Sequence, residues 1–173
     1  MSSYDYKMIN EESVSAVTAT PSVDLGTVRF HGGIQYQYMY NAGAVGYKGC
    51  PVLVTATTAY NFVTTYAQID TLTAAAGDGF AFAGTLHNAT CAAGSYCWVA
   101  QRGMLNCRPN SSAIVVGDTV LIINGGNGVI SRTGVTNTAS AAELCSYIVN
   151  PVVGVAMEAA TAAATGVIKV WVR

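Results

Sequence analysis

The stretch GSYCWVAQRG, residues 94–103, sets a phenol, a thiol and an indole side by side and ends in a cation and a glycine. In an extended chain successive side chains alternate between faces, so Tyr96, Trp98 and Ala100 point one way and Ser95, Cys97 and Val99 the other. Both faces carry apolar residues. This is the pattern of an interior strand covered on both sides, not of an edge with one wet face. Tyr96 and Trp98 supply large apolar area to that strand, and Cys97 is a small packing group. Gln101-Arg102-Gly103 is expected to lead the chain out to solvent or to a neighbour.

The same alternation recurs upstream in IQYQYMY, residues 34–40, where Tyr36, Tyr38 and Tyr40 share a face before the turn-forming Asn41-Ala42-Gly43. Across Gly32-Gly33 it predicts a hairpin with residues 27–31. Further strands are expected over 51–56, 80–84, 95–101, 119–124, 129–132, 152–157 and 167–172, with NGGNG (124–128) supplying the positive φ angles of a tight hairpin. A short helix is predicted over 138–148, where Ala142, Cys145 and Ile148 recur every three residues behind a threonine cap, and a single helical turn over 158–165. The expected fold is mainly β: a β-barrel or β-sandwich of short antiparallel strands with one short helix and an extended N-terminal arm.

That arm is assigned to residues 1–24 and the β-rich domain to residues 25–173. Residues 1–24 hold four of the nine acids against one base, and show no sustained apolar period. Tyr4, Tyr6, Met8 and Ile9 are its candidate partner contacts, because a segment that cannot fold alone can gain affinity by ordering along a neighbour. The N-terminal residues lack a basic stretch followed by an apolar run, which implies synthesis in a cytoplasm. The apolar stretch 152–172 is interrupted by Glu158, Lys169 and glycines, and reads as two strands instead of a membrane span.

Of the 173 residues, 51% are hydrophobic and only 10% charged, against roughly 25% charged in an ordinary soluble domain. Such a chain is expected to bury part of its surface against partners or copies of itself. Its net charge of -1 includes no basic block, so nucleic acid is not an expected partner, and neither is a membrane.

Five cysteines and two histidines raise the question of zinc, but the closest thiols, Cys91 and Cys97, stand six positions apart, and C-x-x-C is absent. No metal or cofactor is expected. Free thiols are favoured, with oxidation after release from the cell able to link Cys91, Cys97 or Cys107. His31, before Gly-Gly, and His87, before Asn88, have no nucleophile motif around them, and no enzymatic activity is expected. The tyrosines of 34–40 leave a carbohydrate-stacking or receptor-binding role open as the alternative function.

The order of GSYCWVAQRG, VVGDTVLI (115–122), VVGVAMEAA (152–160) and TGVIKVWVR (165–173), preceded by LGTVRFHGGIQYQYMYNAGA (25–44) and GCPV (49–52), resembles the small head-decoration, or cement, proteins of tailed bacteriophages over residues 25–173. In that resemblance Tyr96, Trp98 and Val99 match an aromatic strand, Gly117-Asp118 a tight turn, and Gly154, Ala156 and Glu158 a penultimate strand, all structural positions. The resemblance implies a non-enzymatic, β-rich and often trimeric protein. Such a protein binds the major capsid protein on the outer surface of the virion and stabilises contacts between capsid subunits. Five cysteines and the long arm exceed the family pattern.

Overall fold

Strand β9 (Tyr96–Cys107) is the 12-residue axis of the protein. A computed structural model describes residues 13–55, 60–64, 80–88, 90–109, 113–122, 129–131, 152–161 and 166–173, and in it Cys97, Trp98, Val99 and Ala100 are all buried. The two apolar faces read from the sequence are therefore both covered. Along one edge, β9 pairs antiparallel with β3 (Ile34–Asn41), Trp98 opposite Tyr38 and Cys97 opposite Met39. Along the other, Val99 and Ala100 pair with Leu86 and Thr85 of β7 (Phe80–Leu86). β7 pairs with β5 (Pro51–Thr55), β5 with β6 (Asn61–Val63), and β6 runs parallel to the end of β3 at Tyr40 and Asn41. The pairings of β9, β3, β6, β5 and β7 thus return to the strand from which they start.

Period-two alternation sorts side chains between the faces of these strands. Met39, Val52, Phe62, Leu86, Cys97 and Val99 form one buried cluster with Cys50 and Cys91. Tyr36, Tyr38, Trp98 and Ala100 belong to another, larger one. A one-residue slip of β3 against β9 would exchange the two sets, and this specifies the register.

At Gly103 β9 changes partner. Its φ is 107°, and a Cβ there would lie 2.7 Å from the Gly33 carbonyl oxygen, so only glycine lets β9 pass the turn of the first hairpin. Beyond it, residues Gly103 to Cys107 pair with β13 (Ile168–Val172), followed by β12 (Val152–Ala156), β10 (Thr119–Ile122) and β11 (Val129–Ser131). The buried residues of this extension, among them Leu105, Val120, Val153, Ile168 and Val170, join the cluster that holds Trp98. Gln101-Arg102-Gly103, expected to lead the chain out to solvent or to a neighbour, is instead a pivot inside a long strand. Local turn chemistry cannot tell the two apart.

The first hairpin forms as expected, β2 (Val28–His31) against β3. Four short strands were not expected: β6, and β1 (Val17–Thr18), β4 (Gly46–Tyr47) and β8 (Thr90–Cys91), the last two pairing with each other. The parallel β3–β6 pair departs from the all-antiparallel expectation. The helix predicted over 138–148 lies outside the described residues, and no helix occurs among those described. Of the helical turn expected over 158–165, residues 158–161 are not helical: Ala160 exchanges two 2.9 Å backbone hydrogen bonds with Ile114, and that bridge replaces the helical ones.

The arm boundary also moves. Val17 and Thr18 pair with Cys97 and Tyr96, Val14 and Val23 pack on the larger cluster, and the Tyr38 hydroxyl meets Thr18 Oγ1 at 2.9 Å. Ser22 donates to that hydroxyl from its backbone N–H at 3.2 Å and its side chain at 3.0 Å. Residues 13–24 are thus part of the domain, and Thr18 and Ser22 supply the buried Tyr38 hydroxyl with the polar partners it needs. Tyr4, Tyr6, Met8 and Ile9 lie outside the described residues.

Candidate interaction surface

The aromatic residues singled out by sequence are brought together in the interior. Tyr38 packs on Trp98 with ring centroids 5.1 Å apart and on Tyr96 at 6.1 Å, and Tyr96 also meets Tyr40 at 5.0 Å. The Arg29 guanidinium lies 4.6 Å from the centre of the Trp98 ring. Tyr36 and Tyr38 are each 1% exposed and Trp98 is 0% exposed, so these rings form no stacking platform for a sugar. Trp98 is fully buried and Tyr96 half-buried, packed against the larger cluster.

His31 is exposed at the hairpin end, whereas His87 is half-buried with its ring edge-on to Tyr36 at 5.1 Å and Nδ1 3.4 Å from the Tyr36 hydroxyl. Burial lowers the His87 pKa, and the charges of Lys48, His31 and Lys169 lower it further. A histidine whose folded pKa lies below the unfolded value binds fewer protons when folded, so stability rises with pH between the folded pKa and about 6.5. Acidification from pH 7 should accordingly destabilise the chain, and His87→Gln should flatten that limb of the melting-temperature profile. An identical slope in both proteins would show that His87 is not its source. Among the described residues no three His, Cys, Asp or Glu side chains come together to hold a metal.

The feature that does suggest a role outside the core lies on the extension sheet. Thr119 stands opposite Val155, Val155 opposite Trp171, and Trp171 opposite Met104, which makes one cross-strand row over β10, β12, β13 and β9. Side chains opposed in this way share a face. Trp171 is 46% and Val155 39% exposed, with Met104 half-buried beside them. The next row is polar: Lys169 stands opposite Asn106 and donates to its Oδ1 at 2.7 Å, while Glu158 Oε2 accepts the Lys169 backbone N–H at 2.9 Å. An exposed indole and two aliphatic neighbours edged by a polar row have the anatomy of an interface centre and rim. Val152 and Met157 add exposed apolar area on and just beyond β12. A second exposed pair, Val28 and Phe30, occupies β2, with Phe30 77% exposed.

Both strands carrying Val155 and Trp171 were expected, but not that this face is uncovered. A signal was present in IKVWVR: Lys169 and Arg173 sit two residues either side of Trp171, and charges at that spacing mark the solvent face of a strand. Comparison of the chain with protein-family models, curated proteins and solved structures finds no match.

Proposed function

We propose that this chain is a non-enzymatic capsid decoration protein, which binds the outer surface of a phage head and stabilises contacts between major capsid subunits. The observation that carries the reading is the Val155–Trp171–Met104 row, with Val155 and Trp171 exposed, on a chain with only 10% charged residues. Exposed apolar area of this kind is stabilised by burial against a partner, and large aromatics are the side chains that dominate interface energetics. Association of three copies and attachment to the shell are the two uses proposed for the extension-sheet row and the Val28–Phe30 pair. Tyr4, Tyr6, Met8 and Ile9 would add anchoring contacts along a neighbouring subunit.

Co-sedimentation with undecorated capsids, together with light scattering of the free protein, tests this. The double variant Val155→Ser, Trp171→Ser should lose at least tenfold in capsid retention or in self-association, while its melting transition stays cooperative. Wild-type binding and wild-type mass in that variant would reject the surface. Failure of the unmodified protein to bind any undecorated capsid, with its oligomeric state intact, would reject the decoration reading and leave an assembly interface standing.

A further inference from the structure

Cys91 and Cys97 are both 0% exposed, and their sulfurs lie 3.1 Å apart. That separation exceeds a disulfide bond by only about 1 Å. The residues between them make a tight turn that is fastened independently of the thiols. The Gly94 N–H donates to the Asn41 carbonyl at 2.9 Å, the Ser95 N–H to the Ala92 carbonyl at 3.3 Å, and the Asn41 side-chain amide to the carbonyls of Cys91 and Ala92, each at 3.1 Å. The native fold thus holds the two thiols together at the base of a turn whose outer residues, Ala92, Ala93 and Gly94, are exposed.

We propose that Cys91 and Cys97 are a disulfide-forming pair, oxidised by exchange with a low-molecular-weight disulfide once the protein meets an oxidising solution. The Cys91 thiolate attacks one sulfur of the small disulfide, forms a mixed disulfide and expels a thiolate. Cys97 then attacks the Cys91 sulfur and expels the second thiolate. The two protein thiols are oxidised, the small disulfide is reduced to two thiols, and the two protein protons end on those thiols. Each thiol of the pair can donate a hydrogen bond to the other's thiolate, and the Asn41 amide further favours the charge at Cys91, so Cys91 is taken as the attacking group. The other described cysteines are less suited: burial raises the pKa of Cys50, and pushes that of Cys107 up to about 12.

The full chain is unfolded, refolded in a buffer of reduced and oxidised glutathione so that burial does not limit access, quenched with acid, alkylated and digested with chymotrypsin. Cleavage after Tyr96 separates the two cysteines, so a Cys91–Cys97 bond is read as two peptides joined until reduction. The expected result is that joined pair, absent in both Cys91→Ala and Cys97→Ala. A melting temperature about 5 °C higher in the oxidised than in the reduced wild-type protein is expected as well, since closing even a short loop restricts the unfolded chain. Full alkylation of Cys91 and Cys97, or pairing of either with Cys50, Cys107 or Cys145, would overturn the proposal.

Discussion

Trp98→Ala is expected to lower the stability of the chain by about 3 to 5 kcal/mol and its melting temperature by roughly 10 °C. Trp98 is 0% exposed, faces Tyr38 across β3 and lies under the Arg29 guanidinium. It also shares a cluster with Leu105, Val120 and Val170 from the extension sheet, so the cavity would open where the closed set of strands and the extension meet. The indole Nε1 has no hydrogen-bond partner among the described residues, which separates volume from polarity. Trp98→Phe should therefore cost far less, about 1 to 2 kcal/mol, because it removes ring volume without stranding an acceptor. Thermal and denaturant melts of both variants check this. An alanine variant that melts like wild type would mean that the ring is not buried.

Asn41→Ala should cost about 3 kcal/mol, more than its small side chain suggests, because each buried partner left unpaired carries its own desolvation penalty. Asn41 is 0% exposed. Its amide donates to the carbonyls of Ala44 at 2.9 Å and of Cys91 and Ala92 at 3.1 Å, and its Oδ1 accepts the Gly43 N–H at 3.1 Å. One side chain thus joins the end of β3 to the turn that leads from β8 into β9. Asn41→Asp keeps the acceptor for Gly43 but sets a carboxylate against three carbonyl oxygens, and should be at least as destabilising. Chemical denaturation of the two variants is the measurement. An aspartate variant as stable as wild type would show that the amide donors do not hold this turn.

Asn41 and Gly103 show why part of the molecule was illegible. Asn41 reads as an ordinary turn residue at the end of IQYQYMYN, but two of its four side-chain partners, the carbonyls of Cys91 and Ala92, come within reach only because β3 and β9 pair; they are 50 or more positions away. Gly103 reads as the end of a strand, yet its need for glycine comes from the carbonyl of Gly33, brought close by the first hairpin. Contacts between residues so distant in sequence leave no local pattern.

What the sequence by itself determined is the longer strands and the division of their faces. Alternation is a property of the extended backbone, so Tyr36, Tyr38, Trp98 and Ala100 were bound to share one side of a paired β3 and β9, and Met39, Cys97 and Val99 the other. Only the tertiary structure decided which faces stay open: Tyr38 meets Thr18 and Ser22 of the 13–24 segment and Trp98 lies under Arg29, whereas Val155 and Trp171 are left exposed. Apolar side chains in a strand are equally suited to a core or to an interface, and the difference lies in whether another part of the chain is placed over them.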